Sequence, residues 1–361
     1  MLQERKEKLY LRYQEMFSRL YSISICKKNE IDEVAYFIDN YWKKDHALVK
    51  SRVLMDWQYF NRVSNTYNFI LARSRVNGEI HAIEGFIPTT QFDPGIQDPM
   101  TWGAIWKTRS NVAPPGLGMA VKMYREHEYS SPFASEVGIS KDAEKYNQQL
   151  GNTIFCLEPW YMRNMYMHKY KLIKATALEY GSIVHKHSNI KTKYISAEDW
   201  RKSDFNLKGI PPFKSRKYYE GRYFKHPFYD YKALLLSDGE EDEVIFYRIV
   251  ECNDSRCIFF VDYIGLGHVL GKSHACLTEI MKKYSAEYIL FLCYGIDERY
   301  LIEAGFHNRW KSDDVVPIYY EPFVKQNVDI MCASRSKEII WPSFKGDADL
   351  SLIHISEPTR R

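Results

Sequence analysis

Two prolines followed by two glycines, Pro114-Pro115-Gly116-Leu117-Gly118, separate a stretch with strand character from one with helix character. Upstream, Thr101–Val112 is rich in aromatic and β-branched residues, as a strand requires. Downstream, Leu117, Val121 and Tyr124 recur at helical spacing. A turn of this kind is either a stiffened strand-to-helix connection or a seat for a pyrophosphate. Glycines allow close backbone approach, and the first N–H groups of a helix point outward with the positive end of its dipole behind them. Gly118 is expected to face the phosphates from a solvent-exposed helix start.

The 361 residues suggest two domains. A hydrophobic content of 45% with 27% charged residues is that of a globular protein with material for two cores. No apolar run is long enough to span a bilayer, and the basic start lacks the apolar segment of a signal peptide, so a cytoplasmic location is expected. The seven cysteines are scattered without a C-x-x-C pair, which indicates reduced, buried thiols and neither a disulfide framework nor a metal site. A net charge of +4 without a basic block gives no reason to expect DNA binding. The 28 tyrosines and eight tryptophans either fill mixed sheets or line sugar-stacking pockets.

In chain order, residues 1–28 read as an amphipathic helical segment with Leu9, Tyr13, Phe17 and Leu20 on one stripe. Helices follow over Asp32–Trp42 and around Val53, Trp57 and Phe60, with His46 between them as a capping or solvated residue. Strands are predicted at Tyr67–Ser74, Ile80–Phe86 and Thr101–Val112, the first two joined through Asn77-Gly78. After the glycine loop and its helix come a strand near Phe133–Ile139 and a helix over Lys141–Leu150, stopped by Gly151. The second half repeats the order. Strands at Tyr229–Ser237, Glu243–Cys252 and Arg256–Ile264 lead to Gly265-Leu266-Gly267 and a helix to Tyr284. A strand at Ala286–Tyr294, a helix over Asp297–Ala304 and a closing hairpin of Val315–Tyr320 with Val328–Ala333 complete it.

This order, with the loop after the third sheet strand, resembles the GNAT fold of the general-control-related N-acetyltransferases. That family's Q/R-x-x-G-x-G/A segment is matched at both glycines by Ala113-Pro-Pro-Gly116-Leu-Gly118, with Ala113 in place of Gln or Arg. Ala143-Glu-Lys-Tyr146 loosely keeps the Ala-to-Tyr spacing of a second family segment. The doubled pattern looks like a tandem GNAT, an arrangement shared with the Fem aminoacyl transferases and with acyltransferase-like proteins of bacterial surface-polysaccharide gene clusters. Trp42-x-x-x-His46, Asp56-Trp57-Gln58, Ile83-x-Gly85-Phe86-Ile87-Pro88 and Val261-Asp262-Tyr263-Ile264-Gly265 resemble the latter group.

The resemblance implies an α/β (α+β) fold of two tandem GNAT-like domains, each a mixed, mostly antiparallel sheet flanked by helices. Its divisions would be a first domain over 29–190 carrying the acyl-CoA loop, a connector over 191–225 and a second, degenerate domain over 226–349. Leu350–Arg361 looks like the in-frame translation of a transposase adapter from a DNA sequencing library. It is expected to come from an environmental read in which the native C-terminus is cut short.

The implied activity is transfer of an acyl group from acetyl-CoA or another acyl-CoA to an amine. Asn111, Val112, Ala113, Gly116, Leu117, Gly118 and Met119 would hold the coenzyme, and N–H groups of Thr108–Val112 would face the developing oxyanion. Lys107, Arg109, Lys122 and Arg125 either meet the coenzyme phosphates or form a solvated face. Tyr146 is the candidate acid for the departing thiolate. Glu84 and Glu136 are the two candidate bases, each open to a purely structural role. Asp262, Tyr263, Tyr294 and His226 would shape a pocket for a small-molecule or lipid-linked amino sugar. Alternative readings are a Fem-like transferase using charged transfer RNA and a binding module without activity.

Overall fold

The computed structural model describes residues 2–176, 190–209, 211–212, 214–320, 322–335 and 341–348. Leu350–Arg361, read as an adapter translation, lies outside the described residues. The chain forms two compact units, one holding the described residues up to Ile154 with 332–335, the other those from Phe155 to Met331 with 341–348. Each is a mixed, mostly antiparallel sheet with helices packed on it.

In the first unit, α1 (Leu2–Phe17) precedes β1 (Tyr21–Lys27), α2 (Ile31–Phe37), α3 (Ala47–Lys50), α4 (Arg52–Tyr59) and the short β2 (Phe60–Asn61). The antiparallel run β1, β3 (Thr66–Ser74), β4 (Ile80–Pro88) and β5 (Met100–Thr108) forms the sheet. All nine residues of β4 are buried, as a central strand covered on both faces should be. Helix α5 (Leu117–Glu128) packs Leu117, Ala120 and Val121 against Ile70, Ala82 and Phe86. Beyond it, β6 (Phe133–Val137) runs parallel to β5, and α6 (Lys141–Gln149) starts under a Ser140 cap.

Two predictions fail here. The N-terminal helix stops at Phe17, and Tyr21–Lys27 is an edge strand paired with β3. The alternation Ser22-Ile23-Ser24-Ile25 has period two, and tertiary pairing decides against continuing the helix. The closing hairpin also does not form. Its second half, within β16 (Ile330–Ser334), pairs through Cys332–Ser334 with β6. In its first half Val315 bridges Lys174, and β14 (Tyr319–Tyr320) pairs with β15 (Phe323–Val324).

The second unit's sheet orders β7 (Thr153–Arg163), β12 (Tyr288–Tyr294), β11 (Ser255–Ile264), β10 (Asp242–Cys252), β9 (Lys232–Ser237) and β8 (Lys191–Ile195). The short β13 (His307–Asn308) joins β7, and β17 (Ser343–Phe344) joins β12. Helices α9 (His268–Gly271), α10 (His274–Tyr284) and α11 (Glu298–Glu303) cover a core built on Leu270, Leu277, Phe260 and Phe291. The stretch 191–225, expected as a connector, is woven into this unit. Strand β8 pairs with β9, and between α7 (Ala197–Lys202) and α8 (Arg216–Tyr219) the buried Trp200 donates to the Arg216 carbonyl. Residues 191–194 of β8 are exposed, whereas the Lys214 side chain and Arg222 are buried, Lys214 bonding Asp262 and Arg222 the Gly346 carbonyl.

Among the described residues, no helix is long and apolar enough to cross a membrane, and no group of His, Cys, Asp or Glu is arranged to hold a metal ion.

Candidate functional site

Strands β5 and β6 pair only from Met100 to Gly103, opposite Phe133 to Glu136, and then part. At the parting, β5 carries a bulge. Gly85 and Phe86 of β4 stand opposite Ile105 and Gly103, so Ala104 is an extra residue. A bulge bends the strand and re-aims its backbone. From Ala104 onward, β5 has lost its β6 partner on one edge, which therefore offers unpaired backbone groups.

The gap is a cleft of about 720 Å³ within the first unit. Ala104, Trp106, Lys107 and Thr108 line one wall, and Val137, Gly138, Ile139, Ser140, Ala143 and Tyr146 the other. The glycine loop closes one end through Ala113–Gly116, Gly118 and Met119. Gly116, at φ 90°, is the N-cap of α5 in the left-handed region, where a Cβ would stand 3.3 Å from the Tyr13 ring. It turns the chain so that the first-turn N–H groups, at Gly118 and Met119, begin the helix facing the loop end of the cleft. That end suits a phosphate.

Not every loop residue takes part. Asn111 and Val112 do not line the cleft, and Leu117 is a core residue. The N–H groups of Val112 and Ala113 donate to the Arg109 carbonyl at 3.2 and 2.9 Å, and that of Arg109 to His81. The expected oxyanion segment is thus largely committed to its own turn, and the available edge lies earlier, from Ala104. Gly118 does not face solvent as expected. A Cβ there would meet Thr108 Oγ1 at 2.5 Å, while Trp106 Nε1 donates to the Gly118 carbonyl at 2.9 Å.

Glu84, Glu136 and Tyr146, far apart in sequence, all border this cleft. Tyr146 is 44% exposed and meets Trp106 edge-on at 5.5 Å, so it is a rim residue and not a core aromatic. The two carboxylates have opposite environments. Glu136 is held by Lys122, whose ammonium bonds its Oε1, and by Asn147 Nδ2 at 2.9 Å. Burial works to raise its pKa, but Lys122 and its hydrogen bond hold it below the usual carboxylate range. Glu84 is 1% exposed. Its Oε1 accepts from Arg125 Nε at 3.1 Å, and its Oε2 has no hydrogen-bond partner among the described residues. Burial raises its pKa, offset only in part by Arg125 and Lys122. Of the two, only Glu84 has its proton affinity raised.

Lys122 and Arg125 were candidates for coenzyme phosphates or a solvated face. Instead both are buried, three residues apart on the inward side of α5. Arg109 pairs with Glu79 at 2.9 Å and stacks on Tyr41, leaving Lys107 as the cation of that set on the cleft. His46 caps α3, accepting from Leu48 N at 3.2 Å, and burial with nearby Lys43 lowers its pKa to about 4.

The second unit's loop is already filled. The Glu243 carboxylate, buried, accepts from the N–H groups of Leu266 at 3.1 Å, Gly267 at 2.8 Å and Leu270 at 2.6 Å. A side chain occupies the place where an external anion would sit. Sequence reading missed Glu243, which ends the acidic run Glu240-Glu241-Asp242-Glu243 and there looks like one more solvated turn residue. The proposed acceptor residues of this unit are engaged elsewhere. Asp262 is fully buried and accepts from Lys214 at 2.8 Å and Tyr223 at 2.7 Å. Tyr263 belongs to the core, Tyr294 packs on Phe155, and His226 Nδ1 accepts from Tyr229 N at 2.9 Å.

No protein-family model matches the chain, and no curated protein matches it. Solved structures resemble it at low identity. A GCN5-related N-acetyltransferase from Anabaena variabilis is 11% identical, over 86% of this chain and 72% of that one, at a TM-score of 0.49. Another from Sphaerobacter thermophilus is 12% identical over 87% and 95%, at 0.42. The Saccharomyces cerevisiae N-myristoyltransferase, solved with myristoyl-CoA and inhibitors, is 9% identical over 92% and 86%, at 0.45. The chemistry of the cleft rests on its own geometry.

Proposed function

We propose that the first unit transfers an acyl group from an acyl-coenzyme A, acetyl-CoA in the simplest case, to a primary amine. The observation that carries this reading is the convergence, in one cleft, of a strand edge freed by a bulge, a glycine-capped helix start and a buried carboxyl with one unpartnered oxygen. The loop at Gly116–Met119 and Lys107 would bind the coenzyme phosphates. The bound thioester supplies an activated acyl carbon.

Glu84 takes a proton from the attacking amine as the C–N bond forms. The β5 edge from Ala104 donates N–H to the acyl oxygen as it gains charge. Tyr146 gives its hydroxyl proton to the sulfur as the C–S bond breaks, releasing the thiol, and the proton held by Glu84 passes through solvent to the Tyr146 phenolate, which restores both groups. Glu136, kept ionised by Lys122, fixes the wall and takes no proton.

An amino sugar is the acceptor we favour. Trp42, Trp106 and Tyr146 line the same cleft as the carboxylates, and aromatic faces beside carboxylates suit a hydroxylated amine. A role in surface-polysaccharide assembly would follow from such an acceptor. The test follows free thiol released from acetyl-CoA in the presence of a nucleotide-linked amino sugar. The intact protein should release thiol in proportion to amine, and Glu84→Gln should lose at least about a hundredfold in kcat/KM. Thiol release that ignores the amine would refute the assignment.

A further inference from the structure

The groups around Glu84 are arranged asymmetrically. Helix α5 turns Lys122, Arg125 and Glu126 inward, and β6 contributes Glu136. From the neighbouring strands, β3 and β5 set Ile70 and Trp106 in register with Glu84, neither of which titrates. Lys122 is spent on Glu136. Arg125, 3% exposed, stands among three carboxylates and, among the described residues, makes one close contact. Its Nε is 3.1 Å from Glu84 Oε1, while its Nη2 is 3.8 Å from Glu126 and 3.9 Å from Glu136.

We propose that Arg125 is a positioning residue for acyl transfer: by binding Oε1 of Glu84 it fixes the carboxyl plane and leaves Oε2 as the oxygen that receives the amine proton. This rests on the reading of Glu84 as the base. A carboxylate free at both oxygens could rotate and present either one. With one oxygen held by a planar guanidinium, the other has a single direction. The same contact limits how far burial lifts the proton affinity of Glu84, because a cation beside a carboxylate favours its charged form. Arg125 does not line the cleft. It acts through Glu84.

The experiment is an infrared titration of the protonated carboxyl band on the full chain without ligand, alongside pH profiles of kcat/KM. Loss of a band in Glu84→Gln identifies the Glu84 signal. In Arg125→Met the deprotonation midpoint should rise by about one pH unit or more, and the acid limb of kcat/KM should move with it. Arg125→Lys retains the charge but not the planar fork. It should hold the midpoint near that of the unsubstituted protein while lowering kcat about tenfold, and it decides the matter if the Met variant does not fold. A midpoint unmoved in Arg125→Met, or a moved midpoint with an unmoved acid limb, overturns the role of Arg125 and leaves acyl transfer standing. Full kcat in Arg125→Lys overturns it too. Absence of transfer by the unsubstituted protein would sink the underlying reading and this one with it.

Discussion

The Glu243 carboxylate accepts the Gly267 N–H at 2.8 Å, so the second unit's glycine loop closes on a side chain of its own chain. The first unit's loop has no such occupant among its described contacts and borders a cleft. On the proposed function, the expectation is therefore one acyl-CoA site per chain, in the first unit. Glu243→Ala leaves several buried N–H groups without an acceptor and should destabilise the protein by about 3 kcal/mol in urea unfolding. Its affinity for acetyl-CoA, by calorimetry, should stay within a few-fold. A large loss of affinity with stability intact would place the coenzyme in the second unit.

Gly118 presses α5 against β5. An added Cβ at 2.5 Å from Thr108 Oγ1 forces the Thr108 hydroxyl or the packing of α5 on β5 to shift, so Gly118→Ala should cost about 1–3 kcal/mol. Thr108→Ala removes that oxygen and leaves Cβ at 3.7 Å, an ordinary contact. The double variant should therefore recover much of the loss. Strictly additive losses in the cycle would show that the two positions do not meet.

Stability toward acid should depend on Glu126. Burial alone would raise its pKa, but Arg125, Lys6 and Lys122 hold it down to about 2. A carboxylate with a depressed folded pKa contributes stability that is present above its unfolded value, near 4.5, and is lost as pH falls toward 2. Roughly 3 kcal/mol is at stake in that window. Glu84, raised by burial, acts with the opposite sign and favours the fold at lower pH. Glu126→Gln should flatten the acid side of the stability curve measured by denaturant titration. An unchanged slope between about pH 4.5 and 2 would contradict the assignment.

Much of this architecture is legible in the sequence because periodicity and punctuation coincide with it. Asn77-Gly78 turns β3 into β4, Ser140 and Gly151 bracket α6, and Gly116 caps α5. The site is legible only in part. Glu84, Glu136 and Tyr146 are brought together by a parallel pairing that breaks after Gly103, and a break in pairing leaves no mark on residue type. Lys122 and Arg125 read as a solvated face because charges are seldom buried. Their partners, Glu136 and Glu84, lie 14 and 41 residues away. Glu243 is hidden for the same reason, since its three N–H donors lie 23 to 27 residues further on.

The most direct measurement is a calorimetric titration of acetyl-CoA into the full chain and into Lys107→Glu. Lys107 lines the cleft in which the coenzyme is assigned, and reversing its charge should repel phosphates without touching the buried cluster. The account predicts one site per chain in the unsubstituted protein and an affinity at least about tenfold weaker in the variant, with the difference shrinking as salt is added. No binding by the unsubstituted protein, or the same affinity in both, would contradict it.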